Sequence, residues 1–194
     1  MFLLRRPTEE QIHQFLFAER QKPFSYPDPV TTGPAPPRGY IVDHNRIRLG
    51  TGREVFRRGV EALKGWEMFN FPWLHLCWPD ARIETGTTVG VLAHLPGFWS
   101  LNACRIVFVI DEEGEVLRYG FAYGTLPEHV ERGQESFVVE WNNKDDSVWY
   151  DIFAYSRPNH ILAKMGYPIT RLLQKRFARD SMNAMLSASR MPPS

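Results

Sequence analysis

The 194 residues are enough for one domain with a substantial core and no need of disulfide or metal staples. Hydrophobic residues at 43% and charged residues at 23% exclude the composition of a disordered chain. A formal net charge of +1 supplies no global field for phosphates or anionic lipid, so nucleic acid is not an expected partner. Cys77 and Cys104 are far apart and show no CxxC spacing, which fits a reducing compartment and a cytoplasmic location. Residues 1–6 place apolar side chains before two arginines, the wrong order for a signal peptide, and no segment approaches the roughly 18 uninterrupted apolar residues of a membrane span. A soluble protein is expected.

Taken in chain order, Thr8 and Gln11 have capping-box spacing, and Ile12, Phe15 and Leu16 follow at helical intervals, predicting a short amphipathic helix to about Gln21. Residues 23–39 carry six prolines and two glycines and read as an extended arm. Residues 40–49 read as a strand. Thr51 with Glu54 suggests a second capping box ahead of a helix that stops at Gly65. The aromatic stretch from Trp66 to Trp78 has no clean period and reads as packed, irregular chain. Beyond Pro79 the alternation of Val89, Val91, Ala93 and Leu95 opens a series of strands, continued by 101–110, 116–123, 137–141 and 148–155. The turn-forming residues at 111–114 and 143–146 close two hairpins. Pro158 ends the last strand. Met165, Ile169, Leu172, Leu173, Phe177, Ala184 and Met185 then trace a long C-terminal helix, with a kink expected at Gly166 and Pro168.

These elements predict an α+β fold in which a curved antiparallel sheet of about six strands wraps around a long C-terminal helix, the helix-grip order. Residues 1–39 form an N-terminal helix and proline-rich arm, and residues 40–194 the helix-grip domain. A strongly curved open sheet leaves space against the helix that side chains must fill or a ligand can occupy.

Four runs resemble a known family: RLGTGREVFRRGVEALKGWEMF (48–69), YGFAYGTLPEHVERGQESFVVEW (119–141), DDSVWYDIFAYSRP (145–158) and GYPITRLLQKRFARDSMNAM (166–185). They are similar to the uncharacterised protein family UPF 0548, a domain of unknown function, over about residues 40–189. The resemblance implies no agreed reaction, cofactor or catalytic residue. Its strand order also looks similar to the START-like and birch-pollen-allergen-like superfamily, whose members mostly hold apolar ligands and sometimes catalyse, an analogy at the level of fold.

Hairpin registers suggest where chemistry could sit. If Ile110 pairs with Glu115, then Ile106, Phe108, Leu117, Tyr119, Phe121 and Tyr123 share one face, and Arg105 and Arg118 the other. If Asn142 pairs with Ser147, then Phe137, Val139, Trp141, Tyr150, Ile152 and Ala154 share a face opposite Glu140, Trp149 and Asp151. The charges at Arg105, Arg118, Glu140 and Asp151 read first as a solvated cross-strand ladder. A cavity role would instead have Arg105 hold a ligand anion and Glu140 or Asp151 act as base. The candidate ligand site gathers Tyr123, Tyr155, Arg157 and His160 where sheet meets helix, and Tyr119, Trp141, Tyr150 and Arg105 complete the candidate pocket. The glycine-flanked loop 125–132 could gate it or form a fixed turn.

The histidines occur singly, without HExxH spacing, so no metal is expected, and no cofactor motif is present. No GxSxG elbow or activated thiolate supports nucleophilic catalysis. Arg171, Lys175, Arg176 and Arg179 make one side of the last helix basic, which reads first as a solvated face. The leading expectation is therefore a domain that binds a small hydrophobic molecule between sheet and helix. An enzyme of cyclase- or hydrolase-like type using the same cavity is a rival, favoured by any buried carboxyl of raised pKa. An interaction module built on Trp73, Trp78 and Trp99 is another, and a homodimer could bury the same aromatics.

Overall fold

The protein is described from a computed structural model covering residues 1–27, 36, 38–78, 80–159 and 167–190. Its elements run β1 (Phe2–Leu3), α1 (Glu9–Glu19), β2 (Ile41–Thr51), α2 (Arg53–Lys64), a 3₁₀ turn (Glu67–Phe69), β3 (Leu74–Leu76), β4 (Thr88–Leu95), β5 (Phe98–Glu112), β6 (Val116–Thr125), β7 (Glu131–Asn142), β8 (Ser147–Pro158) and α3 (Tyr167–Arg190). One antiparallel sheet has the order β2-β8-β7-β6-β5-β4-β3, with β1 pairing the end of β5 that β6 does not reach. The sheet holds eight strands where about six were expected. The additions, β1 and β3, are two and three residues long, too short to show a period.

The Thr8 capping box forms as expected: the Thr8 hydroxyl accepts from the Gln11 amide, and the Gln11 side chain accepts from the Thr8 amide. The second expected box does not form. Thr51 closes β2, and Gly52 caps α2 at φ +88° with no side-chain hydrogen bond, while its amide donates to the Asp146 carbonyl. Tethering to the β7–β8 turn takes the place of a side-chain cap. The proline arm lies largely outside the described residues, as do Gly166 and the chain before it. Pro168 sits in the first turn of α3, where its missing amide breaks no helical bond.

The β7–β8 hairpin pairs Asn142 with Ser147, as expected, which sends Phe137, Val139, Tyr150 and Ile152 to the concave face. The β5–β6 register departs from expectation. Ile110 pairs with Gly120, and a bulge between Ile106 and Phe108 shifts the alternation, so Val109 rather than Phe108 shares a face with Phe121. One extra residue reverses the sidedness of everything beyond it.

The concave face carries the main core. Phe121, Phe137, Tyr150 and Ile152 on the strands meet Leu63 of α2, Trp66, Met68, Phe69 and Met185 of α3, all nearly or fully buried. The Tyr150 hydroxyl lies 3.0 Å from that of Ser181 on α3, satisfying both polar groups. On the convex face, Leu16 of α1 packs with Ala103 and Leu126, and a Cβ at Gly90 would stand 2.8 Å from the end of the Leu16 side chain, which would have to shift. Residues 24–26 continue this cover across β6, where a Cβ on Gly124 would meet the Tyr26 hydroxyl at 2.2 Å. Elsewhere the convex face carries a charge ladder: Arg118 and Arg46 pair with Glu140, while Asp151 meets His44 and Arg46.

Candidate ligand cavity

Towards the N-terminal end of α3 the concave face is hollow. A cavity of about 840 Å³ lies between the sheet and the helix, lined chiefly by apolar side chains that include Phe69, Trp73, Leu74, Val91, Phe98, Ile152, Leu173 and Phe177. The lining residues that are also solvent-exposed, Leu4, Pro96, Gly97, Ile169 and Lys175, mark where it opens.

The polar groups of the wall gather on β7 and the strands beside it. The strand alternation points Glu131 and Glu135 inward from β7, opposite Pro158 and Ala154 of β8. Asp43 on β2 is held by both Nη atoms of Arg171 on α3, at 2.5 and 2.7 Å. Arg171 also donates to Gln174, which donates to the Ser156 hydroxyl, so a polar chain runs from β2 across the helix to β8 beside Glu131. Glu131 is 8% exposed, and among the described residues its Oε1 has no hydrogen-bond partner. Burial pushes its carboxyl up to about 7. The Ser156 hydroxyl and the Arg171 charge oppose that rise, and Asp43 adds to it. Burial likewise raises Glu135 to about 7, against a 2.8 Å hydrogen bond donated by the Tyr123 hydroxyl and with a smaller push from Asp43. The Tyr123 phenol is itself driven well above its ordinary pKa by burial and by Glu135.

Of the candidate residues named from sequence, Tyr123 is on the cavity wall. Tyr155 and Arg157 project from β8 to the convex side, because they alternate with the inward Ala154 and Ser156. Tyr155 there donates to Gln134 and packs against Tyr26 and Tyr40, with Arg157 over the Tyr40 ring. Arg105 is also convex, donating to the carbonyls of Arg20 and Lys22 at the end of α1. Tyr119, Trp141 and Tyr150 belong to the solid end of the concave face, where Tyr119 lies under Lys64, Trp141 donates to Asp146 and Tyr150 meets Ser181. His160 lies outside the described residues. Glu140 and Asp151 are spent in the convex ladder, away from the cavity.

The inward carboxyls escaped the sequence reading. Glu131 and Glu135 sit at even spacing with Phe137 and Val139, and extending the β7 register six residues towards its start would have placed them on the core face. The loop before β7 is tied down: Asn159 donates to the Pro127 and His129 carbonyls, and the Val130 amide donates to Asn102. The tryptophans of the interaction-module reading are engaged within the chain. Trp73 donates to Asp180, Trp78 packs on His13, and Trp99 stacks on His94. Among the described residues no cluster of three or more His, Cys, Asp or Glu is placed to hold a metal, and no helix is long and apolar enough to cross a membrane.

A curled antiparallel sheet that grips a C-terminal helix, with a largely apolar hollow between them, defines a helix-grip fold. The family model described as "Domain of unknown function (DUF1990)" matches residues 25–184. A UPF0548 protein of Dictyostelium discoideum is 35% identical over 206 residues, covering 97% of this chain and 95% of that one. The chain belongs to this UPF0548 family. Among solved structures, a hypothetical protein of Helicobacter pylori superposes with a TM-score of 0.51 at 14% identity, over 84% of this chain and 100% of that one. Human STARD10 gives 0.49 at 11% identity, over 96% and 81%. At such identities the likeness is one of fold alone.

Proposed function

We propose that this protein binds an amphipathic, mostly apolar small molecule in the cavity between the sheet and α3. The observation that supports this reading is the cavity itself: about 840 Å³ falls in the size range of small-molecule sites, and an apolar wall with a few convergent polar groups is their usual chemistry. A solid core would have been the more stable use of the same space. Native mass spectrometry of gently purified protein tests it. A stoichiometric excess mass is expected that disappears on denaturation and is absent from Ala154→Phe, which fills the hollow from β8. Apo mass for the wild type, together with no uptake of added apolar molecules, overturns it.

A second reading, an enzyme working in the same cavity, is favoured by Glu131 and Glu135, whose acidities near 7 suit proton transfer at neutral pH. The extracted molecule would be returned to the protein and its mass followed. Conversion that is lost in Glu135→Gln supports catalysis, and an unchanged mass leaves the carrier.

A further inference from the structure

The polar end of the cavity has an acceptor with nothing to accept from. Oε1 of Glu131 is unpartnered among the described residues, although the side chain is 92% removed from solvent and lies on the wall of a hollow. A buried carboxylate oxygen without a donor is costly, and a ligand that supplied one would recover that cost. The charges facing Glu131 narrow the kind of donor. Asp43 on β2 is negative, and its partner Arg171 on α3 is already held by both Asp43 oxygens and by Gln174. On its own strand is a second carboxyl, Glu135, held by Tyr123 of β6. His129, in the loop before β7, turns Nδ1 to the Glu131 backbone, and Lys175 stands on the exposed part of the wall. Within the hollow, carboxyls therefore outnumber the cations able to neutralise them.

We propose that the bound molecule carries a basic nitrogen, an amphipathic amine whose ammonium group is seated on Glu131 and whose apolar body lies along Phe69, Trp73 and Phe98. This rests on the cavity reading and deepens it. The aromatic walls suit a cation as well as an apolar chain, since a ring face attracts positive charge where water is excluded. An ammonium would supply the donor that Oε1 lacks, together with positive charge beyond that of Arg171, which Asp43 already engages. Because burial holds Glu131 and Glu135 protonated up to about pH 7, an ammonium ligand competes with a proton and should bind more tightly as pH rises through that value. A carboxylate ligand would do the reverse.

The test compares dodecylamine, dodecanol and dodecanoate, each below its aggregation threshold, by isothermal titration against the intact protein at about pH 6 and pH 8.5. Dodecylamine, cationic at both, is expected to gain on the order of tenfold in affinity at the higher pH and to exceed dodecanol there. Glu131→Gln should abolish that gain, and an unaltered circular-dichroism spectrum shows that the variant is folded. Dodecanol binding as tightly as the amine, dodecanoate binding more tightly, or amine affinity unmoved by Glu131→Gln would each overturn the amine proposal and leave the cavity reading standing. Binding of none of the three would overturn both.

Discussion

Along one concave face, the same strands build a solid end beside α2 and a hollow end beside the start of α3. On β8 the inward residues run Tyr150, Ile152, Ala154, Ser156, and on β5 they run Ile106, Cys104, Asn102, Ser100, shrinking in size or gaining polarity towards the hollow. β7 passes from Val139 and Phe137 to Glu135, Gly133 and Glu131. The cavity is therefore made by a gradient of side-chain size along continuous strands. At the solid end large rings reach α2 and α3 and exclude space. At the hollow end methyls, hydroxyls and carboxyls leave the space unfilled, and Arg171 and Gln174 of the helix reach across to Asp43 and Ser156.

The sharpest test of this contrast is a pair of opposite substitutions. Phe137→Ala, at a fully buried ring in contact with Phe69, Phe121 and Tyr123, is expected to cost about 3 to 5 kcal/mol in urea unfolding. Ala154→Phe adds a ring at the hollow end and should change stability by less than about 1.5 kcal/mol, because space is there to receive it. Equal costs for the two would mean that the hollow is packed in solution.

The carboxyls offer a second, pH-resolved contrast. Glu131 and Glu135 titrate near 7 in the folded chain against an ordinary value of 4.5, so the folded state holds extra protons between those values. Their contribution to stability is fully present below about pH 4.5 and is lost as pH rises through 7. Glu135→Gln should accordingly match the wild type at pH 4 and be more stable at pH 8, by up to about 3 kcal/mol, the free-energy equivalent of raising the carboxyl from 4.5 to about 7. Thermal melts at the two pH values check it, and a substitution neutral at both would show that Glu135 is solvated.

The smallest effect is expected on the other side of the sheet. Asp151→Asn removes the partner of His44 and Arg46 from the convex ladder, where both of these partners are more than 40% exposed. Less than about 1 kcal/mol should be lost, and that loss should fade in high salt. A larger loss would give this ladder a structural weight that its solvent exposure does not predict.

Local patterns carried much of the fold into the sequence. The Thr8 capping box, the stop of α2 at Gly65, the Asn142–Ser147 pairing and the long final helix depend on residues close in the chain, and each was legible there. So was the charge ladder at Arg118, Glu140 and Asp151, since polar alternation opposite an apolar row marks a wet face. The site was less legible. Tyr155 and Arg157 have the chemistry of a pocket rim, but strand parity turns them away from it, and parity is a property of the whole sheet. The bulge between Ile106 and Phe108 shows how little is needed to reverse it.

What the sequence determined by itself is the order of elements, the antiparallel meander and the apolar identity of one face, because periodicity and turn chemistry are encoded within a few residues. Tertiary structure alone decided that Glu131, Glu135, Asp43 and Arg171 meet around one hollow. They come from β7, β2 and α3, and their acidities depend on how much water the assembled sheet and helix exclude.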